Sequence, residues 1–127
     1  MRYFTVEEAN EMLPTVEGLV AKLIEAYNRI MRLRPEVVRV LEKSETGSGS
    51  ATASQMYLEF LRFESLLQEI NKLGVEVKDP ESGLCDFPAL HRGRDIYLCW
   101  QFGEQQVEWW HELHTGYAGR RHVNELL

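Results

Sequence analysis

A chain of 127 residues is one domain by length, and its formal net charge of -6 and pI near 5.2 argue against the clustered Lys and Arg that displace counterions from nucleic acid. Cys85 and Cys99 are too few and too far apart for a CxxC zinc or redox motif. No apolar run approaches the roughly 20 residues that cross a bilayer and the N-terminus shows no signal-peptide pattern, so the expectation is a cytoplasmic, reduced protein with neither nucleic acid nor membrane as partner.

Thr5 followed by Glu8 matches a capping box, which predicts a helix from about Val6. Apolar residues then recur at Leu13, Val16, Val20, Leu23, Tyr27, Ile30, Val37 and Leu41, spaced as a coiled-coil-like packing seam that only Arg34 breaks. Pro14 and Pro35 each remove a backbone donor, so bends are expected there rather than full breaks. Thr46 to Ser54, rich in Gly, Ser, Thr and Ala, reads as a flexible connection over 46–54.

A second helix is predicted from about Ala53 to Leu73, with Met56, Phe60, Phe63, Leu67 and Ile70 on its seam and Gly74 as its stop. Residues 1–73 thus form an antiparallel helical hairpin. Leu58, Leu61, Leu66 and Leu73 widen the apolar face beyond what one partner helix covers, which predicts a third layer or another subunit and so a homodimer through the helix faces. The aromatic and leucine stripe itself is read as ordinary core in preference to a cofactor groove.

After Gly74 the period changes to alternation. Val75 and Val77 read as a short strand, Asp79 to Gly83 as a turn, and Leu84 to Leu90 as extended chain. His91-Arg92-Gly93 turns, Asp95 to Phe102 forms a clear strand, and Gln106 to Leu113 a further one. A three- or four-stranded antiparallel meander over 74–127, covered by the hairpin, makes the fold class α+β in a single domain spanning 1–127.

Polar and titratable residues crowd the last third, among Trp100, Trp109 and Trp110. His111, Glu112 and His114 offer imidazoles and a carboxylate suited to zinc, iron or manganese. The two histidines are three apart rather than the four that the helical zincin motif needs. Glu108 and His111 have the Glu-x-x-His spacing of di-iron bundles, but the long helices offer no second copy. A looser site remains, with His111 joined by Glu112, Asp86 or Glu104; in the alternative the His pair is a set of solvated residues at a strand end.

Asp86, between Leu84 and Phe87, is a carboxylate in an apolar stretch and calls for a partner. Arg120 and Arg121 suit that role, either as a salt bridge tying the tail to the sheet or as part of an anion site. Gly116 and Gly119 permit a sharp loop that exposes N–H groups. Of Trp109 and Trp110, adjacent on a strand, one should be core and the other exposed or at an interface. Cys85 and Cys99 are expected to be inert buried thiols.

Tyr3-Phe4-Thr5-Val6-Glu7-Glu8-Ala9-Asn10 with Leu13-Pro14, Gly83-Leu84 with Asp86 to Leu90, Tyr97 to Trp100, Gly103-Glu104, and Trp110 to Leu113 with Gly116 to Arg121 together resemble the bacterial family catalogued as domain of unknown function 2203. The resemblance implies a fold and little mechanism. His114 departs from it, an acidic residue being expected there, which moves weight from a His pair to Asp86, Glu104, His111, Glu112, Arg120 and Arg121.

Three functions follow as expectations. The first, preferred, is a non-catalytic binding or assembly module, with Asp86, Glu104, Arg120 and Arg121 as ligand-binding residues converging on one surface. The second is a divalent-metal protein holding zinc, iron or manganese through His111, Glu112 and Asp86. The third is a small hydrolase or transferase, with His111 and Glu112 as candidate catalytic residues and an arginine stabilising an anion.

Overall fold

The computed structural model describes residues 2–43 and 51–127. Helix α1 spans Val6–Lys43 and starts where the capping box places it: the Glu8 N–H donates to Thr5 Oγ1 at 3.0 Å and the Thr5 N–H to Glu8 Oε1 at 2.9 Å. The helix continues through Pro14 and Pro35 without a break. Its buried stripe is Ala9, Leu13, Val16, Val20, Leu23, Ala26 and Ile30, recurring every three or four residues.

Helix α2 spans Ala51–Lys72. Of the flexible connection expected over 46–54, residues 46–50 lie outside the described residues, while Ala51 to Ser54 already belong to α2. The predicted seam on α2 also needs correction. Leu66 and Ile70 are buried and Phe63 and Leu67 pack against the core, but Phe60 is 48% exposed, beside exposed Tyr57, Leu58 and Leu61. An isolated helix pair buries only the faces turned toward each other, and the core that the sheet completes reaches no farther along α2 than Phe63.

Five strands follow: β1 Glu76–Asp79, β2 Leu84–His91, β3 Arg94–Gln101, β4 Trp109–Glu112 and β5 Arg121–His122, in sheet order β1-β2-β3-β4-β5 with every pairing antiparallel. The meander therefore exceeds the three or four strands expected. The addition, β5, has two residues, too few to show alternation in a sequence. Gln106 to Glu108 are not strand. They are held instead by Asn10 of α1, whose Oδ1 accepts the Val107 N–H at 2.7 Å and whose Nδ2 donates to the Val107 carbonyl at 3.1 Å.

One face of the sheet, formed by Cys85, Phe87, Ala89, Ile96, Leu98, Trp100 and Trp110, joins the helix stripes in the core. Gly83 makes the close approach at the β1–β2 turn possible: its φ is +74°, and a Cβ there would stand 2.6 Å from Phe102 Cβ and 3.0 Å from Val20 and Ile24 of α1. Among the described residues no helix is long and apolar enough to cross a membrane.

Candidate metal centre

Because side chains alternate along strands, the face turned away from the core is also fixed by register. Glu76, Asp86, Cys99, Trp109 and His122 stand opposite one another in a single row across the five strands, and Tyr97 and His111 stand opposite each other in the next row. Asp86 and Cys99 are thus direct neighbours, with His111 diagonal to Cys99. A face turned from the core would normally be solvated, yet Asp86 and His111 are each 2% exposed and Cys99 is fully buried. The chain after β4 folds back over them. Leu113, His114, Thr115, Gly116 and Tyr117 share a cavity with Asp86, Tyr97 and His111, and the Arg120 guanidinium lies between the rings of Trp109 and Tyr117, 5.4 and 4.6 Å from their centroids.

The hydrogen bonds of His111 define its protons. Nδ1 lies 2.6 Å from the Glu112 carbonyl oxygen, which can only accept, so Nδ1 carries a proton. Nε2 faces Asp86 Oδ1 at 2.9 Å. A neutral imidazole protonated on Nδ1 would point a lone pair at a carboxylate, so a positive charge must sit between these two atoms. In the metal-free chain that charge is a proton. Burial pulls the His111 pKa down, but the Asp86 carboxylate, Cys99 and the Glu112 carbonyl outweigh it and raise it to about 10.

A metal ion satisfies the same requirement. One ligand atom each of Asp86, Cys99 and His111 lies within 4.8 Å of the others. Tetrahedral ligands at about 2.0–2.3 Å from zinc stand about 3.3–3.7 Å from one another, a separation inside the 4.8 Å that bounds these three atoms. An ion in place of the proton would require the 2.9 Å separation to open by a few tenths of an ångström. The Nδ1–H to carbonyl bond fixes the ring so that Nε2 would be the nitrogen offered to a metal.

The other sequence-predicted residues divide into separate pairs. Arg120 and Arg121 do not meet Asp86. Arg120 donates to both Glu104 oxygens, Nη1 at 2.8 Å and Nη2 at 2.6 Å, with Nη2 also 3.3 Å from the Cys99 carbonyl oxygen. Arg121 stands opposite Trp110, on the core-side face of the sheet and so across it from Asp86, and donates to Glu125 at 2.6 Å. Burial pushes the Glu104 carboxyl up, yet the bonds from Arg120 and the Gln101 N–H outweigh it and hold it below the usual range.

The Glu112 carboxylate points away from the imidazole to Arg94, 2.9 Å away, and only its backbone carbonyl serves His111. His114 is exposed at the cavity rim, without the depth of His111. Cys99, expected to be inert, is the residue the sequence reading left out of the site. The two-residue turn at Arg92-Gly93, with His91 paired to Arg94, sets Asp86 opposite Cys99, a register that the three-residue turn expected at His91-Arg92-Gly93 does not give. Cys85 lies on the core face, where burial first and the neighbouring Asp86 next push its thiol up to about 12.

Fold and site together define a small α+β protein with a buried Asp-Cys-His group, able to hold a metal ion, on the outer face of an antiparallel sheet. The chain matches domain of unknown function 2203, described as an uncharacterized conserved protein, over residues 2–123, and belongs to that family. No curated protein and no solved structure matches it significantly.

Proposed function

We propose that this protein is a binding module for a divalent transition metal, held by His111 Nε2, an Asp86 carboxylate oxygen and Cys99 Sγ. The observation that carries this is the burial of those three donors together, with the His111 tautomer held so that Nε2 must face a positive charge. A thiolate beside an imidazole and a carboxylate favours zinc or iron over manganese. Catalysis by His111 with an arginine as anion stabiliser has less support, since both terminal nitrogens of Arg120 are committed to Glu104 and Arg121 lies across the sheet. Elemental analysis of gently purified wild type and of Cys99→Ala and His111→Ala tests the proposal. Near-stoichiometric zinc or iron lost in both variants is the expected result; wild type that takes up neither metal overturns it.

For assembly we propose that a second copy of the chain covers the exposed end of the hairpin. Met31 and Val38 of α1 and Tyr57, Leu58, Phe60 and Leu61 of α2 are all exposed there. Exposed Arg32, Arg34 and Arg39 on α1 complement exposed Glu64 and Glu69 on α2, so a twofold arrangement that lays each α1 on the other copy's α2 pairs opposite charges around an apolar centre. Light scattering of wild type should give a dimer, and Leu58→Glu with Leu61→Glu a folded monomer. A monomeric wild type at high concentration would rule this out.

A further inference from the structure

The metal proposed above would have three protein ligands, and among the described residues no fourth His, Cys, Asp or Glu joins the group. Structural zinc sites close their coordination with four protein ligands, whereas three protein ligands leave a position for water or an exogenous group. Two of the three ligands, Asp86 and His111, line a cavity of about 300 Å³ bounded by Lys78, Leu84, Tyr97 and the loop from Leu113 to Tyr117. A fourth position on the side of Asp86 and His111 would meet this cavity, which has room for a small molecule.

Charge indicates what that molecule is. A divalent ion with one carboxylate, one thiolate and one neutral imidazole is locally neutral. Among the described residues the remaining full charge lining the cavity is Lys78, whose Nζ stands 4.6 Å from the Tyr97 ring centroid and is ion-paired at 2.9 Å with Glu76, the neighbour of Asp86 on β1, so it offers an anion a shared rather than a free charge. His114 and Thr115 add polar groups at the same wall, and Gly116, at φ +60°, bends the loop there. We infer that the metal's open position binds a small oxyanion, a carboxylate or phosphate group, with one oxygen on the ion and its outer end toward Lys78. This inference rests on the metal reading and names the ligand class of the same site.

Cobalt(II) loaded into the full-length protein in place of the native metal tests it, because its visible ligand-field bands respond to a change of ligand. Acetate, inorganic phosphate and azide are titrated separately into wild type and Lys78→Ala. The expected result is stoichiometric cobalt, with bands that shift saturably with acetate or phosphate and an affinity that falls about two- to fivefold in Lys78→Ala, the scale of a partly exposed charge contact. Bands that shift with azide alone would show an open position with no oxyanion subsite and overturn the inference. Cobalt bound with bands unmoved by all three would show a closed site, overturning the inference while leaving the metal reading in place. Failure to bind cobalt would remove both.

Discussion

His111 has no free nitrogen: its Nδ1 proton is held by a carbonyl and its Nε2 faces a carboxylate, both inside the protein. Removing one member of such a pair strands the other without a partner, a loss of about 3–5 kcal/mol. Asp86→Ala should accordingly lower the unfolding free energy of chelator-treated protein, read from denaturant titration, by that order, and an unchanged value would mean that the two side chains do not form an ion pair. The pH dependence has a definite sign. Since the folded pKa of His111 is raised from 6.5 to about 10, its stabilisation is complete below pH 6.5, declines as pH climbs, and is gone above about 10. Within that window the metal-free chain should lose up to about 1.4 kcal/mol per pH unit from this group, and His111→Asn should flatten the slope. Denaturant titrations at a series of pH values compare the two.

At the scale of elements, short polar contacts rather than long apolar ones decide how the sheet meets the helices. Thr5→Ala removes the oxygen that caps α1 and should cost about 1 kcal/mol, read from the thermal midpoint. Asn10→Ala should cost more, about 1–3 kcal/mol, because it strips both the N–H and the carbonyl of buried Val107 of their partner. Hydrogen exchange should then show the 105–108 segment opening ahead of β2 and β3. The helices themselves were largely legible: the capping box, the buried stripe of α1 and the hairpin all follow from spacing. The end of α2 was misjudged because periodicity reports which residues share a face, whereas the depth to which that face is covered depends on how far the sheet extends.

For the whole molecule, a metal at Asp86, Cys99 and His111 would join β2, β3 and β4 through one point, so binding should raise global stability. An ion at 100 times its dissociation constant adds about 2.7 kcal/mol to a folded state that alone binds it. Zinc should therefore raise the melting temperature of wild type by several degrees and leave that of Cys99→Ala in place, while Cys85→Ala, altered on the core face, should retain the zinc response. Equal responses in wild type and Cys99→Ala would remove the thiol from the site.

By itself the sequence determined the helical hairpin and a meander of antiparallel strands, since these depend on local periodicity and on turns a few residues long. The register that sets Asp86 opposite Cys99 comes instead from the two-residue turn at Arg92-Gly93, one residue shorter than the turn expected at His91-Arg92-Gly93. Only the tertiary structure decided the partners. Asp86 has His111 rather than Arg120 or Arg121 because β5 turns Arg121 to the core-side face and the preceding bend leaves Arg120 on Glu104. Charge complementarity in a sequence names every acid and base that could pair, and the fold of the 113–120 segment over the sheet selects among them by covering Asp86 and His111 while leaving others, such as Arg121, at the surface.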